Sequence, residues 1–130
     1  MANPNIVAVA NIQGESLGFN LAANVTTTLF TVKDEVVLKV NRIQCANVDG
    51  TNAANLDLLV TKTNFTPDGV DNFDTSGSFY LAKTISIPAD ATLVVLDTPI
   101  YLMEGDILKG GTAATGDLDL IVSYEVLDDA

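Results

Sequence analysis

Five serines, Ser16, Ser76, Ser78, Ser86 and Ser123, could supply hydroxyl nucleophiles, but the 130-residue chain has no histidine to serve one. A serine nucleophile needs an activating base within hydrogen-bond reach, and none of the five sits in a Gly-x-Ser-x-Gly elbow. A hydrolytic triad is therefore excluded. The 17 acids could pair for glycoside cleavage. In a chain this acidic, though, some pairing arises by chance, and carboxylate separation, which selects the mechanism, is not written in the sequence. Gly14-Glu15-Ser16-Leu17-Gly18 has the glycines of a phosphate loop without its lysine or a following helix. Asp68, Asp71 and Asp74 share the loop spanning residues 64–78 and offer hard oxygen ligands. Their spacing of three does not match a calcium loop and no bidentate glutamate follows, so a solvated loop is the expectation and cation binding there stays open. Cys45 is the single cysteine, which precludes an internal disulfide and reads as a buried, inert thiol. These residues point to a protein that is not an enzyme and needs no cofactor.

Charge narrows the partners. Seventeen acids against six bases give a formal charge of -11, which repels nucleic acid and anionic membrane alike. The longest apolar runs, such as residues 6–10, fall far short of the roughly 18 residues a membrane-spanning helix needs. The first residues lack the positive charge that opens a signal peptide, so export by that route is not expected.

The elements that must position these side chains read as strands. In residues 118–126, Leu118, Leu120, Val122, Tyr124 and Val126 share one parity and Asp119, Ser123 and Glu125 the other, with Ile121 the apolar exception on the wet side. Side chains alternate between faces along a strand, so one face is covered and one is wet. With residues 99–112 this predicts a closing β-hairpin, with a tight turn at Glu104-Gly105-Asp106 and Lys109-Gly110-Gly111 opening the loop to the second arm. Residues 25–32 are β-branched and aromatic, as a half-buried strand requires. Val36, Leu38 and Val40 give way to Ile43 and Cys45, a change of parity that predicts a β-bulge near Asn41 and Arg42. Leu17, Phe19 and Leu21 mark a short strand; Leu56, Leu58 and Val60 another. Phe79, Leu81, Ile85 and Ile87 mark a third, interrupted at Lys83, and residues 92–97 a fourth covered on both sides. Residues 50–61 and 111–123 echo each other, Leu56-Asp57-Leu58 matching Leu118-Asp119-Leu120, which two equivalent hairpins would explain. Helical period is nowhere sustained. About eight strands with turns every ten residues or so predict a single all-β domain, an antiparallel β-sandwich or jelly roll.

Residues 1–13 stand apart. Ile6, Ala8, Ala10 and Ile12 alternate with Val7 and Val9, so both faces are apolar. That pattern suits either a first, central strand of the domain that follows over residues 14–130, or an arm laid on a neighbouring molecule. Ile6, Val7, Val9 and Ile12 are the candidate contacts with a neighbouring molecule, and removing residues 1–13 is expected to leave a folded domain that no longer adheres.

Residues 1–6 (Met-Ala-Asn-Pro-Asn-Ile), 46–54 (Ala-Asn-Val-Asp-Gly-Thr-Asn-Ala-Ala), 80–90, 100–106 and 123–125 resemble the small virion structural proteins of tailed phages that infect aquatic bacteria. The likeness spans most of the chain and rests on scaffold and turn motifs. It implies a non-enzymatic particle component, first of all a capsid decoration or cement protein on the outer surface of the head, made in the host cytoplasm. Its implied partners are the major capsid protein and copies of itself, with a trimer among the expected states. A tail or fibre component is the alternative within the virion. A carbohydrate-binding module is the alternative outside it, weakened by the lack of tryptophan and a total of three tyrosines.

Overall fold

In the computed structural model of this chain, residues 11–63, 77–112 and 117–128 are described. Among them are nine strands and no helix: β1 (Asn11–Asn20), β2 (Thr28–Thr31), β3 (Val36–Asn47), β4 (Ala54–Lys62), β5 (Gly77–Ile87), β6 (Thr92–Leu96), β7 (Ile100–Leu102), β8 (Ile107–Thr112) and β9 (Leu118–Asp128). One sheet has the order β1-β9-β3-β6, with β7 also on β3, and the other β2-β8-β4-β5. Every pairing is antiparallel. Consecutive strands change sheet at every connection except β4–β5 and β6–β7, which makes the sandwich a jelly roll.

The alternation in β9 holds. Leu118, Leu120 and Val122 are fully buried and Tyr124 nearly so, while Ile121 is exposed on the outer face. Leu56 and Leu58 of β4 meet them from the facing sheet within one core, each such side chain contributing about 2 kcal/mol by the apolar area it removes from water. The bulge in β3 is present, its register on β9 shifting between Val40 and Arg42. It divides the far edge of the strand: β7 pairs with Leu38–Val40 and β6 with Ile43–Ala46.

Several connections differ from expectation. The closing hairpin is not one: β8 lies between β2 and β4, whereas β9 lies between β1 and β3 in the other sheet. The echo likewise marks two crossovers rather than two hairpins, with β4 and β9 in central positions of opposite sheets. A strand that buries one face gives the same alternation whatever its hydrogen-bonded neighbour, so parity cannot separate these cases. Gly110 and Gly111 belong to β8, not to a loop. The strand expected over residues 25–32 shrinks to Thr28–Thr31, because Asn24 Oδ1 accepts from Thr26 N (3.0 Å) and Oγ1 (2.8 Å) and holds a turn there. Among the described residues β6 pairs with β3 alone and leaves Val94 exposed, so it is covered on one side.

The parity expected for residues 79–87 fails for a specific reason. Register shifts between Leu56 and Leu58, and again between Leu58 and Leu59, each place an extra residue in β5. Ala82, brought opposite Leu58, is therefore buried along with Ile87, whereas Phe79 and Ile85, although paired with the core residues Val60 and Leu56, are exposed on this edge strand, as is Tyr80. Thr84 adopts φ 51°, and its N–H donates to Asp57 Oδ1 at 3.0 Å. At the end of β3, buried Asn47 spends its side chain on Asn52 O and Ile87 O (2.9 Å each) and accepts from Asp49 N (2.9 Å), tying the β3–β4 crossover to the end of β5. Asp49 in turn accepts from Thr51 N and Asn52 N, which hold its carboxyl below the usual range.

Candidate functional site

The sheets stack with β1 over β2, whose Phe19 and Phe30 rings lie 6.3 Å apart, and with β5 against β6 at the opposite border. β1 and β2 are edge strands, each hydrogen-bonded on one side only among the described residues. They differ in length, ten residues against four. Beyond the phenylalanine pair β2 runs out while β1 and β9 continue, and the seam between the sheets opens into a cleft of about 340 Å³.

Leu17 lines the cleft from β1, Phe30 from β2, Val36 and Leu38 from β3, and Val126 from β9; Val32, which follows β2, adds to the same apolar surface. The polar members are Glu15, Thr31, Lys33, Tyr124 and Asp128. Glu15 and Tyr124 are cross-strand partners. The Tyr124 hydroxyl donates to Glu15 Oε2 at 2.6 Å, and Gln13 Nε2 donates to Glu15 Oε1 at 2.6 Å, so both carboxylate oxygens are engaged. Burial, then the hydrogen bond to Glu15 and its charge, push the Tyr124 phenol up to about 12. A phenol held protonated in this way is no base at neutral pH. The cleft is chemically suited to take apolar side chains from an extended segment, whose backbone the free strand edges can pair.

Burial drives the Cys45 thiol up to about 12, with the charge of Asp119 adding to it. The burial expected of this thiol from the sequence is what the structure shows. Cys45 and Tyr124 bind their protons more tightly folded than unfolded, with ordinary values of 9.0 and 10.0. Their contribution to stability is complete below pH 9 and is lost as pH rises toward 12. The urea midpoint of the wild-type chain is expected to fall over that interval more steeply than that of Cys45→Ala. Parallel curves for the two proteins would contradict the assignment for Cys45.

A second polar cluster lies beside the cleft's floor. The turn at Met103–Asp106, with Gly105 at φ 85° and Asp106 N donating to Met103 O (3.0 Å), docks under the connection from β2 to β3. Val32 N donates to Asp106 O (2.9 Å), Gly105 N to Val32 O (3.0 Å) and Glu35 N to Glu104 Oε2 (2.7 Å). Glu104 and Asp106 are buried, and Asp106 is paired with Lys62. Among the described residues no group of three or more potential ligands is arranged to hold a metal.

Of the candidate contacts, Ile6, Val7 and Val9 lie outside the described residues, as do Asp68, Asp71 and Asp74. Ile12 sits near the start of β1, opposite Leu127, and is 70% exposed. Residue 12 thus belongs to an edge strand and not to a central one buried on both sides. No residue pattern signals the cleft: Glu15 and Tyr124 are 109 positions apart, and the β1–β9 register brings them together. Further apolar exposure lies on the outer face, at Val94, Tyr101 and Ile121.

No protein-family model matches the chain, and no curated protein matches it. Among solved structures it is similar to VP2 in the crystal structure of an infectious bursal disease virus subviral particle, with 14% identity and a TM-score of 0.38 over 93% of this chain. This chain spans 34% of that one. A superposition at that level fixes neither strand pairing nor role.

Proposed function

We propose that this protein is a non-enzymatic structural component of a virion, a decoration or cement protein that binds the outer shell of the head. The observation that carries the reading is the apolar cleft opening between two free strand edges, a surface built to hold another chain. Exposed apolar residues on β5, β6 and β7 add to it. Jelly rolls recur in viral capsid domains and also in lectins, so the fold is compatible with the role without selecting it. The reading follows the resemblance of the turn motifs to tailed-phage virion proteins. Net charge of -11 suits an outer station away from packaged DNA. The major capsid protein and further copies of this chain are the partners proposed.

Co-sedimentation with purified heads tests the reading. The full chain is expected to bind heads saturably, and the chain lacking residues 1–10 to stay folded and bind at least tenfold more weakly, a loss of about 1.4 kcal/mol or more. The deletion stops at residue 10 because residues 11–13 are paired with 126–128. Binding to tails and not heads would favour the tail or fibre role, and binding to neither would reject the virion reading.

A further inference from the structure

We infer that the cleft between β1 and β2 receives residues 2–10 of a second copy of this chain, laid as an extended segment between the two free edges. This deepens the adhesive reading and rests on it. The cleft offers a guest a largely apolar wall. Leu17, Phe30, Val32, Val36, Leu38 and Val126 supply the contact, and Glu15 at its border is already engaged by Gln13 and Tyr124. The longest uncharged run outside the described strands is residues 1–10, and it contains Ile6, Val7 and Val9. In an extended strand alternate side chains point the same way, so either row of that segment can enter the cleft while its backbone pairs with an edge.

A second copy, rather than the chain's own segment, follows from direction. The segment leads straight into β1, where Asn11 is already paired with Asp128. Returning along the same edge would need a tight reversal between Ile6 and Asn11, and that stretch has neither glycine nor proline. Continued outward, it reaches a neighbour. Exchange of such segments closes under two-fold or three-fold symmetry.

Cysteine crosslinking of full-length chains tests this, since native Cys45 is buried and stays out of the reaction. Tagged Val9→Cys and untagged Leu17→Cys chains, co-expressed and treated with a short bismaleimide, are expected to give a mixed crosslinked dimer. Light scattering of the wild-type chain is expected to show a dimer or trimer. Leu17→Glu, at a half-exposed position on an edge strand, is expected to weaken self-association about a hundredfold while the circular dichroism spectrum stays that of the wild type. A monomeric wild type, or a crosslink that forms only within one chain carrying both Val9→Cys and Leu17→Cys, overturns the inference. Monomers that still bind heads would overturn it and leave the virion reading standing; copies that crosslink but ignore heads would do the reverse.

Discussion

Gly111→Ala is expected to destabilise the fold by about 3 kcal/mol or more, lowering the melting temperature by roughly 10 °C. A Cβ at this position would lie 2.4 Å from Asn24 O and 2.8 Å from Ala22 O. Those carbonyls are not free to retreat. Ala22 O accepts from Thr112 N (3.0 Å), and Asn24 O accepts from Thr27 N (3.1 Å) and Thr27 Oγ1 (2.7 Å). Thr27 O is itself bonded to Gly110 N at 3.0 Å. The backbone entering β2 therefore lies directly on β8, and relief would require these bonds to break together. Gly14→Ala is the control, because nothing stands within 4 Å of its Cβ and alanine in a strand removes unfolded-state entropy. Its effect is expected within about 0.5 kcal/mol of zero. Thermal and urea unfolding of the two variants decide the matter, and equal effects at the two positions would refute the close approach at Gly111.

That glycine shows what the sequence can and cannot convey. Gly110 and Gly111 signal a special backbone requirement, but a turn and a close approach call for the same residue. Alternation in β4 and β9 was legible because water on one face and core on the other write themselves directly into residue type. The bulge in β3 was legible too, since one extra residue reverses the apolar parity from Val40 to Ile43. In β5 two bulges act in succession, and the second restores the parity the first reverses. The intervening change disappears from the pattern and hides Ala82, opposite Leu58, as the core residue of that stretch. Which sheet a strand joins was not legible at all, because crossover and hairpin connections impose the same alternation. The cleft depends on β2 being six residues shorter than β1, and the residue at which a strand stops pairing is not written in its alternation. Burial of Glu104 and Asp106 was likewise hidden, since the Glu-Gly-Asp turn reads as a surface turn until its docking partner, the β2–β3 connection, is placed beside it.

Lys62→Met is expected to cost about 3 kcal/mol, because it leaves the buried Asp106 carboxylate without its cation. Asp106 is more than a capping residue. Its Oδ2 also accepts from Met103 N at 2.9 Å, and its carbonyl accepts from Val32 N, so a carboxylate without its counter-ion disturbs the turn and the connection docked on it. Among the described residues, Glu104, fully buried next to it, has one oxygen bound to Glu35 N and no hydrogen-bond partner for the other. Asp106→Asn should cost less, about 1 kcal/mol. An amide oxygen still accepts from Met103 N, and the Lys62 ammonium, whose side chain is 30% exposed, can turn to water. The combination Lys62→Met with Asp106→Asn is therefore expected to be more stable than Lys62→Met alone, since it removes the buried charge as well as its partner. Urea unfolding of the three variants measures this. A double variant at least as unstable as the sum of the singles would mean that Lys62 acts by packing its stem and not by its charge.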